Sequence, residues 1–297
     1  MDVHSLIDKT DLNQFECFYC DMRIESEIST LLGYRNGEFD NFGKSPRLGI
    51  FLRVYNNGRW FFKGLTDVNA IKDGFNDLIK QSLSFSGENQ DYFSAVPRGH
   101  EEILRFQNSH PEKISLTAKK ELCESYLPIL SQFQDIKESQ IHYKDSYRLQ
   151  GFKSNRGRSF VYDYSAYGLS ISYTLRQNDN MFKNSFKHWG HTFDELKGLQ
   201  EQIKAHVTES RSHLTAQPVT PRKYTLVMDT EVVGVFTHES FGHKSEADAM
   251  MGDEAAVKEW QIGTKVASDI VSIVDSGLET GNSGYCPIDD EGMPATK

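Results

Sequence analysis

The sequence predicts an α+β protein in which strand-rich segments alternate with amphipathic helices. Three observations support this class. A β-rich run broken by an Asn-Gly turn signal passes into helical spacing, the same order recurs in the second half of the chain, and a Pro/Thr-rich linker then precedes an apolar helix. Strand and helix signals that follow one another in blocks are typical of an α+β architecture.

The first unit is predicted over residues 1–90. Residues 15–27, 48–54 and 59–63 are strand-like, and Asn57-Gly58 separates the last two runs, which is a strong hairpin signal. After Asp67 the apolar residues follow helical spacing, which predicts one helix with a buried face formed by Val68, Ile71, Phe75, Leu78 and Ile79.

The second unit, predicted over residues 91–215 together with a connector, repeats this order. Strand-like segments 146–153, 160–164 and 168–173 are followed by a polar turn and a helix from Thr192. We interpret the repetition as an internal duplication. Polar residues 84–115 are expected to form the connector, followed by a helix over 117–127 that Pro128 ends or kinks.

The third unit is predicted over residues 222–297. After the linker 216–221, residues 224–228 are expected to form a short strand, and Asp229 or Thr230 suits the N-cap of the apolar helix that follows. We expect this strand and helix to open a β-rich domain that the sequence, ending at Lys297, truncates.

Composition excludes several classes of function. The 297 residues include 42 acidic and 33 basic ones, a net charge of -9 without a Lys/Arg run, which argues against a nucleic-acid partner. The N-terminus lacks the features of a signal peptide, and no apolar stretch of about 18 residues indicates a membrane span. The 4 cysteines are too few for a disulfide framework, so we expect a cytoplasmic protein. The pair Cys17 and Cys20 lies in a strand-like segment, which favours a structural role.

The third unit carries two histidines with an acid directly after the first: His238, Glu239 and His243. Imidazoles hold Zn²⁺ in hydrolases, and an adjacent carboxylate takes a proton from water. The second histidine follows after five residues rather than the usual four, which on a regular helix would leave the side chains about 140° apart. A zinc site therefore predicts a π-turn here, with Gly242 as the residue that tolerates it. Spacing alone leaves a second interpretation open, in which the histidines are unrelated helix residues.

The wider motif resembles the TldD/PmbA peptidases. The run His-Glu-Ser-Phe-Gly-His-Lys-Ser-Glu-Ala-Asp from His238 to Asp248 is similar to that family's His-Glu-x-x-Gly-His followed by Glu and Asp, and the block from Cys286 to Pro294 is similar to its Ile-Asp-Asp-Glu-Gly-x-Pro. The likeness extends more weakly over 49–64. It implies an α+β N-terminal half, a metal-bearing helix and a β-rich domain. One subunit type keeps the His-Glu motif and its paralogue lacks it, and this chain resembles the catalytic TldD type.

The resemblance implies a role for each matching residue. His238 and His243 are zinc ligands, and Glu239 is the general base. The family's third ligand is a downstream cysteine that this sequence does not reach. Apart from the resemblance, Glu246 lies three residues after His243 and so could orient a ligand imidazole or supply an oxygen ligand, and Asp248 is a further candidate for these roles. The alternative for Glu246 is a solvated helix carboxylate.

Two hypotheses follow from this resemblance. The first is zinc-dependent hydrolysis of peptide bonds in unfolded or flexible polypeptides, by a protein that dimerises with itself or with a PmbA-type paralogue. The second is a non-catalytic or split subunit whose site a partner completes. Action on DNA or gyrase, suggested by an older family name, has no support in an acidic chain.

Overall fold

The computed structural model describes residues 3–281 and 283–296. The chain divides into two compact units. The first, here called the sheet unit, comprises Met1–Ala216 and Gly277–Thr296, and the second, here called the motif unit, comprises Gln217–Ser276.

The sheet unit contains a single seven-stranded sheet of largely antiparallel strands. The strand order is β3-β2-β1-β5-β6-β4, and β7 also pairs with β6. β4 is parallel to β6. The strands are β1 (Tyr19–Arg35), β2 (Glu38–Asn56), β3 (Arg59–Leu65), β4 (Gly99–Ile103), β5 (Ile136–Ser154), β6 (Arg158–Gln177) and β7 (Asn180–Gly190).

Strands followed by a helix occur twice, as the sequence predicts, although the predicted segments 160–164 and 168–173 form one strand, β6, and β7 was not predicted. β1, β2 and β3 precede helix α2 (Ile71–Ser82), and β5, β6 and β7 precede helix α5 (Gln200–Arg211). The first strands of the two repeats pair antiparallel, with Ile28 opposite Tyr147 near the middle. Asn57 and Gly58 have φ of 51° and 73°, which makes the β2–β3 connection a two-residue turn of the type that hairpins favour.

Helices cover one face of the sheet and enclose its core. Beside α2 and α5 these are α1 (Val3–Lys9), α3 (Leu116–Glu124) and α4 (Leu127–Leu130). Met22 and Leu52, opposite one another on β1 and β2, pack with Phe75 of α2, and each is fully buried. Burying one such side chain contributes about 1.5–3 kcal/mol, so these contacts fix the helices on the sheet.

A buried ion pair connects α3 to the sheet. Lys119 Nζ lies 2.6 Å from Asp145 Oδ2, with side chains 5% and 0% exposed. Lys119 also donates to Thr30 Oγ1 at 3.1 Å, and the Thr30 N–H donates to Asp145 at 3.1 Å. Both charges are thus compensated and hydrogen-bonded, as burial requires.

The opposite face of the sheet carries residues 285–292. Ile288 packs against Phe152, Phe160 and Tyr162. Arg158 Nε donates to the Gly292 carbonyl at 2.9 Å, which ties this segment to β6.

Several boundaries differ from the sequence-based expectation. β1 and β2 run on through residues 28–47, which lie between two of the predicted strand segments, because residues there pair with the neighbouring strand. The connector contains β4, which pairs with β6. Pro128 lies in the first turn of α4 and so begins a helix rather than ending one. Thr192 caps a 3₁₀ turn, Phe193–Leu196, and Gly198 at φ 74° separates it from α5.

The motif unit is helical where it is regular. The strand predicted over 224–228 was wrong: these residues form no strand, because no strand among the described residues pairs with them. Val227 is 99% exposed. The helices are α6 (Thr230–Thr237), a π-turn (His238–Gly242), a 3₁₀ turn (His243–Ser245), α7 (Ala247–Met250) and α8 (Glu254–Glu259). Within residues 3–281 and 283–296, every helix is too short or too polar to cross a membrane.

Candidate metal centre

Helix α6 begins where the sequence predicts it. Asp229 is the N-cap, with extended backbone and a carboxylate that accepts a hydrogen bond from the Val232 N–H at 2.9 Å. This contact satisfies one of the free donors in the first turn. The first histidine then follows at the C-terminal end of α6.

The predicted π-turn between the two histidines is confirmed. Residues His238–Gly242 form one π-turn, in which the His243 N–H donates to the His238 carbonyl five residues back. The extra residue brings His243 round to the side of His238, and their ring centroids lie 4.4 Å apart at 66°. The two imidazoles therefore face one region rather than diverging.

The proposed reason for Gly242 was wrong. Gly242 has φ -54° and ψ -60°, which is ordinary right-handed helix. A Cβ built there would lie 3.5 Å from His238 Nδ1, an ordinary contact. Two serines, which sequence reasoning missed, donate to carbonyls four residues back: Ser240 to Phe236 O at 2.6 Å and Ser245 to Phe241 O at 2.8 Å. Such bonds satisfy carbonyls where a helix is distorted.

The π-turn places three donor side chains together. Ligand atoms of His238, Glu239 and His243 all lie within 4.8 Å of one another. His243 Nε2 is 3.9 Å from Glu239 Oε2. The sequence predicted all three residues for this site.

Glu246 holds the second imidazole in place. His243 Nδ1 donates to Glu246 Oε1 at 2.9 Å, which leaves Nε2 as the ring nitrogen directed to other partners. Histidine ligands in metal sites are commonly oriented by such a carboxylate. Two roles at the metal were considered for Glu246. This geometry favours the one in which Glu246 orients the His243 ring over the one in which it binds the metal directly.

The donor set fits zinc in chemistry and approximately in distance. Two imidazole nitrogens and a carboxylate oxygen are ligand types that zinc accepts. Two atoms that each lie about 2.0–2.1 Å from one ion are at most about 4.2 Å apart, so at most a small side-chain rotation would let both imidazoles reach one ion, with the Glu239 carboxylate beside it. His243 and Glu239 are 53% and 65% exposed, and such rotation meets little resistance.

The remaining candidates lie outside this group. In the described part of the chain, the clustered donors are His238, Glu239 and His243, so Asp248 is not among them. Cys286 Sγ donates to the Ile288 carbonyl at 3.3 Å. At the pair Cys17 and Cys20, the contact between the two thiols raises the pKa of the buried Cys20 and lowers the pKa of Cys17.

Two family models match separate parts of the chain. The PmbA/TldA metallopeptidase domain 1 matches residues 20–84, and the PmbA/TldA metallopeptidase C-terminal domain matches residues 221–297, which include the π-turn. The chain belongs to the PmbA/TldD family. The first match covers the repeat β1–β2–β3–α2, and the second covers the three clustered donors of the metal centre.

Curated members of the PmbA/TldD family include similar metalloproteases. The chain is 22% identical over 290 residues to a metalloprotease of Synechocystis and 24% identical over 292 residues to one of Methanocaldococcus jannaschii. These alignments cover 95% and 94% of this chain. A Saccharolobus solfataricus protein named as a zinc metalloprotease TldD homologue is 26% identical over 263 residues. The chain spans 62% of the length of the first two relatives.

Solved structures of the PmbA/TldD family share the fold. A Bacteroides thetaiotaomicron protein described as a candidate modulator of DNA gyrase has a TM-score of 0.81 at 15% identity, covering 99% of this chain and 68% of its own. TldE from Thermococcus kodakarensis has a TM-score of 0.68 at 12% identity, covering 98% and 65%. Both confirm the α+β fold class.

Proposed function

We propose that this chain carries the zinc-binding helix of a peptidase that acts on unfolded or flexible polypeptides. His238 and His243 are the zinc ligands, and Glu239 is the general base. The observation that carries the proposal is the π-turn, which brings both imidazoles and the intervening carboxylate within 4.8 Å. Relatives named as a metalloprotease and as a zinc metalloprotease support the same activity.

Each side chain has a distinct task in this proposal. When bound, zinc supplies Lewis-acid activation of water and of the peptide carbonyl. The Glu239 carboxylate, adjacent to both imidazoles, accepts the proton of the attacking water and passes it to the leaving amine. Glu246 fixes the His243 ring so that Nε2 keeps its direction.

The exposed hydrophobic side chains of the motif unit support a metal site that another segment or protein completes. In the described part of Gln217–Ser276, no hydrophobic side chain is buried. Val235 and Phe236, on the helix that leads into the motif, are 57% and 58% exposed. We propose that a further segment or a partner, either a second copy or a PmbA-type paralogue, covers this surface and supplies the third ligand, a cysteine.

The proposed place of action is the cytoplasm. Cys17, Cys20, Cys123 and Cys286 are all free thiols, which suits a reducing compartment.

Zinc titration and peptide hydrolysis test the proposal together. Purified wild-type protein, together with the segment or partner that completes its site, should bind one zinc and cleave an unfolded protein. His238→Ala should lower both metal content and cleavage. A protein that cleaves equally well after thorough zinc removal would overturn the proposal.

A further inference from the structure

A cavity of about 600 Å³ lies in the sheet unit, beside the ends of β1, β2, β3, β5 and β6. This volume is in the range of small-ligand sites. Its apolar lining includes Phe51, Leu65, Phe152, Phe160, Tyr162 and Ile288.

Two glycines keep one side of the cavity free of side chains. Gly64 lies on β3 opposite Phe51, and Gly49 lies on β2 opposite Glu25. A Cβ built at either position would touch nothing within 4 Å. Because Gly64 is on the end strand, a side chain from outside the sheet can pass over it into the cavity.

The edge of β3 offers backbone hydrogen bonds at the same place. β3 ends the strand order, and the two-residue turn pairs Asn56 with Arg59. In such a hairpin the residues beside the turn bond to each other and the bonding then alternates, so Trp60, Phe62 and Gly64 direct their N–H and C=O groups outward. Phe62 is 55% exposed and stacks on Phe51 at 5.9 Å.

The cavity is negatively charged on balance. Arg23 lines it together with Glu25, Asp289 and Asp290. Arg23 pairs with Asp290 at 3.1 Å, while Arg148 approaches Glu25 at 3.9 Å from outside the lining. A long side chain with an apolar stem and a positive end matches aromatic walls with acidic groups among them.

We propose that the sheet unit binds an extended peptide as an additional strand on β3, with a Lys or Arg side chain crossing Gly64 into this cavity. An aromatic residue two positions away packs on Phe62, since alternate residues of a strand lie on one face. The backbone groups of Trp60, Phe62 and Gly64 supply affinity, and the cavity supplies selectivity. The site lies entirely within the sheet unit, so binding does not require the metal centre.

Fluorescence anisotropy with a labelled peptide Ser-Phe-Ser-Lys-Ser-Phe-Ser tests the proposal. Gly64→Phe fills the entrance and should weaken binding at least about tenfold, because the side chain then has no room. Gly43→Phe is the matched control: Gly43 lies on β2 in the same sheet, where a Cβ meets only Leu31 at 4.0 Å. This variant should bind as wild type does, with thermal melts confirming that both variants fold.

Variants of the peptide test how it binds to the wild-type protein. Replacing Lys by Glu in the peptide should weaken binding at least about fivefold at low salt, since charge complementarity is lost. N-methylation of alternate backbone amides should abolish binding. Equal affinity for the N-methylated peptide, or for Gly64→Phe, would overturn the proposal. His238→Ala should leave this peptide binding unchanged. The binding test therefore does not depend on whether the proposal for the metal centre holds.

Discussion

Removing the Glu246 carboxylate separates its two possible roles at the metal centre. Glu246→Ala deletes the acceptor of the 2.9 Å bond from His243 Nδ1, which frees the ring to rotate and to change tautomer. Losing such a partner costs about 10–100-fold in metal affinity. His243 and Glu246 are 53% and 52% exposed, so solvent screening places the loss near the lower end, about tenfold or 1.4 kcal/mol. Glu246→Gln keeps an acceptor oxygen and should lose less.

Competition with a chromophoric zinc chelator near neutral pH measures these affinities. Glu259→Ala, which removes an exposed carboxylate in α8, is the matched control and should bind zinc as wild type does. An unchanged affinity in Glu246→Ala would refute the orienting role. A loss as large as that of His238→Ala would instead identify Glu246 as a direct ligand.

Three further predictions concern catalysis, completeness of the site and stability. Glu239→Gln should lower peptide hydrolysis by about 10²–10⁴-fold while zinc content by mass spectrometry stays nearly constant; loss of zinc with retained hydrolysis would contradict the assignment. The 297-residue chain alone should lose zinc to a mild chelator faster than the same chain with the segment or partner that supplies a third ligand, because catalytic zinc normally has three protein ligands; equal rates would show a self-sufficient site. Lys119→Met should lower the free energy of unfolding by about 3–5 kcal/mol in urea titrations, because Asp145 is left buried and unpaired. Lys63→Met, at an exposed ion pair with Asp77, should have no measurable effect.

Local patterns predicted the repeats and the π-turn. Asn57-Gly58 signals its own turn, because both residues tolerate the positive φ that the hairpin needs. The π-turn followed from requiring His238 and His243 to face one ion across five residues. These features depend on residues that are close together in the sequence. The residue types at those positions were therefore sufficient to predict them.

Features that depend on distant partners were missed or mistaken. β4 (Gly99–Ile103) is polar and short, and it is a strand because β6 lies beside it. Residues 224–228 have the composition of a strand but no partner among the described residues. The cavity beside Gly64 combines residues from five strands and the segment around Ile288. A single sequence carries no signal of such combinations, although Gly49 within the strand-like run 48–54 was a hint of open space.

The antiparallel pairing of β1 with β5 relates the two repeats by an approximate two-fold rotation. Ile28 and Tyr147 lie near its axis, so each half of the sheet presents the same kind of edge to the other. Two separate copies of one three-stranded unit would meet in this way as an isologous dimer. Joining them in one chain makes their association independent of protein concentration. It also places inside the sheet the two strand edges that, in isolated halves, would be templates for aggregation.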